Sequence, residues 1–340
     1  PRRGQLTVAV IGTGSAGRRH MANLIAYGRQ HVVAVSEHRK CSDLEIHGHQ
    51  VPVSHDFERL LADDPSIDSV FICNPSSMHS DYLLRSVQAN KHAYVEKPIA
   101  KTLDEVSGIG TSLDSHPVTI AIGNQFRFHP HLISTKKMVD SGALGDIFSV
   151  HAIQGEHIAD YHPGEDYRQS YTARRDLGGG ILLTQIHQID YLHWLFGPFK
   201  TVMATQPRER ALKLDVEENV SYLLTSDNGT IVYGHVDYLR RPRHASLCIS
   251  GSKGTLEWSY YENSLKWVNL EKDAEIDISY RSEDRNQLFV DAALDFLNAI
   301  DEHRNPRSTL IDGLNALSVV QSIHDSSLTK QMVKIKNFDE

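Results

Sequence analysis

The chain has 340 residues, 40% hydrophobic and 23% charged, with a formal net charge of −8. That is the composition of a globular protein long enough for two domains, and its acidic balance argues against bulk binding to nucleic acid or to an anionic membrane. No apolar run approaches the roughly 18 residues that span a bilayer, and no signal peptide is visible. Cys41, Cys73 and Cys248 form no C-x-x-C pair, so a cytoplasmic protein with reduced thiols is expected.

The run Val8-Ala9-Val10-Ile11 reads as a short buried strand. It enters Gly12-Thr13-Gly14-Ser15-Ala16-Gly17, a G-x-G-x-x-G turn, and Arg18 to Ile25 then reads as a helix. In such a turn the first glycine allows the reversal, the second lets a pyrophosphate approach the backbone, and the third lets helix lie against strand. The helix aims its free N–H groups at the phosphates. A second strand, His31 to Val35, ends in Ser36-Glu37, twenty positions beyond Gly17. That is where an acid binds the adenosine ribose hydroxyls. Glu37 favours NAD, because a 2′-phosphate would meet its charge; the neighbouring Arg39 and Lys40 keep NADP as the alternative.

Strands and helices alternate to about residue 122, which predicts a parallel sheet. Ser69 to Cys73 is a strand breaking at Asn74-Pro75, with a helix expected from Ser76 through Ala89. Ligands of open α/β sheets lie beyond the carboxyl ends of strands, so Cys73, Asn74, Pro75 and His79 are placed along the cofactor. His92 to Val95 is a further strand ending in Glu96-Lys97-Pro98. The proline biases Lys97 away from the helical region, which aims a lysine at the carboxyl end of a strand. Twenty histidines are present, including His47-Gly48-His49 and His129-Pro130-His131, but neither group completes a ligand set and no metal is expected.

From Gly123 the pattern changes. A long polar, aromatic-rich loop runs from Gly155 through Tyr161, Asp166, Arg168 and Tyr171 to Arg174-Arg175. Loops of this length are often functional. Tyr161, Asp166 and Arg168 suit sugar hydroxyls, and the arginines suit a phosphate or carboxylate. Leu177 to Phe196 opens on three glycines and reads as one helix. Leu182, Ile186, Ile189, His193 and Phe196 share an apolar face, while Leu183, His187, Asp190, Tyr191 and Trp194 share another. His187 is thus expected off the main core stripe. Asp227-Asn228-Gly229 is a hairpin signal inside an antiparallel meander. One face of such a sheet takes helices; the other predicts a homodimer or homotetramer. Two helices are expected near Asn286–Ile300 and Gly313–Ser327.

Taken together, the Rossmann glycines, Cys73-Asn74-Pro75 with His79, Glu96-Lys97-Pro98, Gly123 to Pro130 and Leu177 to Asp190 resemble the glucose–fructose oxidoreductase / inositol dehydrogenase / MocA family. The resemblance implies an α/β chain, with a Rossmann domain over residues 1–122 and a substrate and oligomerisation domain with a large, mostly antiparallel sheet over 123–340. It implies NAD(P)-linked oxidation or reduction of a sugar, sugar-nucleotide or cyclitol carbon. Lys97 and His187 stand at the reacting carbon, Glu96, Lys97 and Gln125 beside the cofactor, and Arg127 and Thr184 beside the substrate. His187 is expected as the base, because its ordinary pKa lies near neutrality, with Lys97 polarising the hydroxyl. The roles exchange if the site lowers the lysine's pKa. Members often carry an aspartate three or four positions before the histidine; here those positions hold Thr184 and Leu183. That departure keeps a non-catalytic, dinucleotide-responsive regulator as an alternative, beside redox-neutral chemistry.

Overall fold

The computed structural model describes residues 7–28, 31–38, 40–279 and 285–339. It begins with β1 (Thr7–Ile11), α1 (Ser15–Ala26) and β2 (Val32–Val35), followed by a small hairpin of β3 (Leu44–Ile46) and β4 (His49–Val51). Then come β5 (Val53–Ser54), α2 (Phe57–Asp63), β6 (Ile67–Ile72), α3 (His79–Gln88), β7 (His92–Val95), α4 (Ile109–Ser115) and β8 (Ile120–Ile122). Six of these strands form one sheet in the order β5-β2-β1-β6-β7-β8, parallel throughout. All five residues of β1 are buried, as a central strand covered on both faces requires. The helix expected from Ser76 begins instead as a 3-10 turn, Ser76–Met78, before α3.

The chain continues with α5 (Pro130–Asp140), β9 (Ile147–Gly155), α6 (Ile181–Thr184), α7 (Ile186–Phe196), β10 (Phe199–Thr205), β11 (Asn219–Ser226) and β12 (Ile231–Asp237). After these come β13 (His244–Gly251), β14 (Gly254–Ser259), β15 (Ser264–Asn269), β16 (Ala274–Asp277), α8 (Arg285–Glu302), α9 (Leu310–Thr329) and β17 (Val333–Lys334). The second sheet runs β16-β15-β14-β13-β9-β12-β11-β10-β17. Only β9 and β12 pair in parallel. Strict alternation along β11, with Val220, Tyr222 and Leu224 buried, marks a sheet covered on one face. On the other face Met203 is exposed, and Tyr233 stacks flat on His151 at 4.7 Å.

The chain divides into two compact units, one ending at Gln125 and taking in Arg285–Gly313, the other holding Phe126–Asp284 and the residues from Leu314. A single boundary at residue 122 leaves out the return of α8 to the first unit. That return follows from burial: Phe296 of α8 is fully buried and packs against Phe71 at 5.6 Å and Tyr94 at 5.9 Å.

The helix read from Leu177 to Phe196 is in fact two. A left-handed Gly178 ends a 3-10 turn, α6 follows Gly180, and Gln185 breaks the helix at φ −101°, ψ 27°. The two-faced reading of this segment is corrected as well. Every residue from Ile186 to Leu192 is buried, so His187 lies in the interior of its unit at 6% exposure. Both faces of α7 are covered: Gln188 donates to the His235 carbonyl of the sheet, while Phe126, His129, Trp258 and Tyr191 form an aromatic layer. Among the described residues no helix is long and apolar enough to cross a membrane.

Candidate functional site

In the first unit the turn after β1 has the geometry its glycines imply. A Cβ on Gly17 would stand 1.9 Å from the Gly12 carbonyl oxygen, so helix and turn touch backbone to backbone. A Cβ on Gly14 would meet nothing within 4 Å. No side chain caps α1 at Gly14, and the first N–H groups of Ser15, Ala16 and Gly17 have no intrahelical acceptor. Thr13 offers its carbonyl to Arg18 Nε at 3.1 Å. Beside this turn, both amide atoms of Asn74 are buried with no hydrogen-bond partner among the described residues. Buried polar atoms are nearly always paired. An open backbone cradle, an uncapped helix and an orphaned amide together fit a dinucleotide: the phosphates at Gly14 to Gly17, with Asn74 further along the strand ends.

The other strand-end residues divide. Glu37 is half-buried, and its two oxygens already hold four donors. Burial pushes its carboxyl upward, but the hydrogen bonds from Arg85, Tyr82 and Phe57 N–H outweigh this and bring its pKa down to about 2. Lys40 is exposed, and Arg39 lies outside the described residues. Cys73 is buried, and desolvation raises its thiol pKa, so it is inert. Pro75 caps the 3-10 turn, and Gln125 is buried at the start of a 3-10 turn after β8.

Two expected cofactor contacts are corrected. The imidazole of His79 is buried, with Nδ1 2.7 Å from the Pro98 carbonyl and Nε2 2.8 Å from the Asn74 carbonyl. It braces the loop bearing Lys97 against the loop bearing Asn74. The Glu96 side chain turns into the core and holds His20 Nε2 at 2.8 Å. Burial raises its pKa, but the hydrogen bond from His20, with the electrostatic pull of His20, Lys97 and His79, brings it below the ordinary value.

Lys97 follows β7 directly. Burial of its ammonium, partly opposed by Glu96 and assisted by Arg285, lowers its pKa to about 8. An amine with that pKa can lose and regain a proton near neutrality.

In the second unit, Arg127 is corrected from a substrate contact to a buried ion pair. Its Nε lies 3.1 and 3.0 Å from the two Asp190 oxygens and its Nη2 lies 2.8 Å from Oδ1, at 3% and 1% exposure. Thr184 is buried and lies 2.6 Å from Tyr238 OH, which itself donates to the Thr172 carbonyl at 3.1 Å. The His187 ring lies 5.3 Å from Phe126.

Tyr161 accepts from Gln185 Nε2 at 2.8 Å, and Gln185 accepts from Gln154 at 2.5 Å. The phenol keeps its own proton to donate, and burial raises its pKa. Asp166 caps the turn at Arg168 N–H at 3.1 Å, and both side chains are exposed. Arg174 and Arg175 are committed to Asp176 and to the Asp215 carbonyl. His129 serves as a helix cap, its Nδ1 accepting from His131 N–H, with burial lowering its pKa to about 3. Gln185, Tyr238 and Arg85 were not singled out from the sequence; no local signal marks them, since each matters through partners 24 to 66 positions away, with Asp81 the one near neighbour of Arg85 among them.

Two family models match the chain. Residues 6–124 match the oxidoreductase family with an NAD-binding Rossmann fold, and residues 133–257 match the GFO/IDH/MocA C-terminal domain. The levoglucosan dehydrogenase of Pseudarthrobacter phenanthrenivorans is 25% identical over 59% of this chain and 58% of its own length. The inositol 2-dehydrogenase/D-chiro-inositol 3-dehydrogenase of Lacticaseibacillus casei is 27% identical over 66% of this chain and 64% of its own. The chain spans about half the length of the first curated relatives it matches. A solved structure of levoglucosan dehydrogenase in complex with NADH superposes with a TM-score of 0.84 at 20% identity, covering 98% of this chain and 100% of that one.

Two outcomes check these assignments. Gly14→Ala is unstrained at φ −77° and meets no neighbour. It is expected to leave the melting temperature unchanged while weakening NAD binding by about tenfold or more, read by calorimetry. Arg127→Ala leaves Asp190 buried without its cation and is expected to cost about 3–5 kcal/mol in urea denaturation. A substrate contact would change KM and leave stability alone.

Proposed function

Because the chain belongs to the Gfo/Idh/MocA oxidoreductase family, we propose that it is an NAD-dependent dehydrogenase acting on a secondary alcohol of a sugar, sugar nucleotide or cyclitol. Relatives named as levoglucosan and inositol dehydrogenases support that substrate class. The nicotinamide, when bound, takes up the hydride from the carbinol carbon. The hydroxyl proton needs a base on the protein.

The observation that carries this reading is Lys97, at the carboxyl end of β7, with its pKa brought down to about 8. It supports reading the roles the other way round from the first expectation, with Lys97 taking the hydroxyl proton and His187 as the second acid/base group. Deprotonation of Lys97 makes room for a proton; on the return reaction its ammonium gives one back and steadies the developing alkoxide. Tyr161, Asp166 and Arg168 are proposed to bind the substrate's other hydroxyls. A regulator without chemistry would have no use for an amine so tuned. The unpaired Cys41, Cys73 and Cys248 suit a reducing, cytoplasmic setting.

Incubation with NAD and a panel of sugars and cyclitols, read at the absorbance of reduced cofactor, tests the function. With the substrate found, alcohol oxidation is expected to rise with pH and level off above about 8, as Lys97 loses its proton. Lys97→Met is expected to slow oxidation by about 10²–10⁴-fold, and His187→Gln by at least about tenfold. Full activity in both variants overturns the pair.

We also propose a homodimer or homotetramer through the outer face of the nine-stranded sheet, where Met203, Tyr233 and Val268 are exposed. Light scattering is expected to give two or four chain masses; the mass of one chain overturns it.

A further inference from the structure

Glu37 cannot accept a ribose hydroxyl as it stands. Its Oε1 holds Phe57 N–H at 2.8 Å and Arg85 Nη2 at 3.1 Å; its Oε2 holds Tyr82 OH at 2.6 Å and Arg85 Nη1 at 3.0 Å. A carboxylate has about four lone-pair sites, and all are taken. A ribose diol needs two of them.

The four donors differ in what they can give up. Phe57 N–H belongs to the backbone of α2, whose helix is capped by Asp56, so it stays where the helix holds it. Tyr82 is 2% exposed, packed edge-on against Phe57 at 5.5 Å, and its hydroxyl would be stranded if moved. Arg85 is the exception. It already touches Glu58 on α2 and, at 3.2 Å, Asp81 one turn back on α3. Its guanidinium therefore keeps two carboxylates when it leaves the third, and the two sites it vacates, one on each oxygen of Glu37, are the pair a vicinal diol requires.

We propose that Arg85 occupies the adenosine-ribose position on Glu37 and hands it over when NAD binds, shifting its guanidinium onto Glu58 and Asp81. Arg85 is thus a specificity-determining residue that keeps Glu37 ionised and pre-aimed while competing with the nucleotide for it. The proposal rests on the reading of the chain as NAD-dependent. It goes further by giving the ribose acid an internal competitor. The depressed pKa of Glu37 agrees with it: against the burial that raises it, Arg85 and Tyr82 from α3 and the Phe57 N–H win, although the carboxylates of Asp56 and Glu58 stand close by on the side of α2.

The test is NAD affinity by calorimetry in the full chain at pH 7.5. Arg85→Met removes the competitor while Tyr82 and Phe57 N–H still hold Glu37. The dissociation constant is expected to fall by about three- to tenfold, the gain from a site no longer pre-occupied. Arg85→Lys keeps the charge but cannot fork both oxygens; it is expected to fall between wild type and Arg85→Met, and it decides the matter if the methionine variant does not fold. Glu37→Gln is expected to weaken binding. Affinity unchanged or reduced in a folded Arg85 variant overturns the proposal and makes Arg85 a fixed brace. No NAD binding by the wild type overturns the NAD reading itself, and unaltered binding by Glu37→Gln overturns the ribose role on which the exchange depends.

Discussion

The contact between Gly17 and the Gly12 carbonyl sets the geometry of the first unit. With 1.9 Å between that oxygen and any Cβ placed on Gly17, α1 can lie on the turn only as bare backbone. The helix then starts at the carboxyl end of β1, uncapped by any side chain, and its N-terminal N–H groups face outward as an anion site. The parallel strands on either side deliver their own following residues to that same edge: Glu37 after β2 and Asn74 after β6, both paired to β1, and Lys97 after β7, the next strand out beyond β6.

Charge buried behind that edge is arranged so that each group has a reason to be there. Glu96 is sealed against His20, and the ring of His20 sits 5.4 Å from Phe71 and 5.1 Å from Tyr94. Its negative charge partly offsets the desolvation of Lys97, which holds that amine near neutrality instead of driving its pKa lower still. His79 ties the Pro98 and Asn74 carbonyls together, so the loop bearing the amine and the loop bearing the orphaned amide are one mechanical piece.

The second unit spends its polar residues differently. Arg127 and Asp190 neutralise each other in the core, and Thr184 is bound into a Tyr238–Thr172 chain. A buried pair of this kind stabilises only while both partners remain, which makes it architecture. At the break between α6 and α7, Gln185 joins the chain Gln154–Gln185–Tyr161.

The sequence by itself determined the elements whose signal is local. The glycine turn, the strand-end acid at Glu37, the lysine after β7 and the Asp227-Asn228-Gly229 hairpin all follow from residues within a few positions of one another, where backbone sterics and periodicity act. Only the tertiary structure decided which polar side chains are available. Glu96, His79, Arg127 and Thr184 carry the residue types of a site, yet apart from the Asn74 carbonyl on His79 their partners lie 19 to 76 positions away in sequence. The same holds for the covered second face of α7 and for the return of α8 to the first unit. Desolvation and hydrogen-bond saturation depend on what the fold brings near, and no local pattern of residues encodes that.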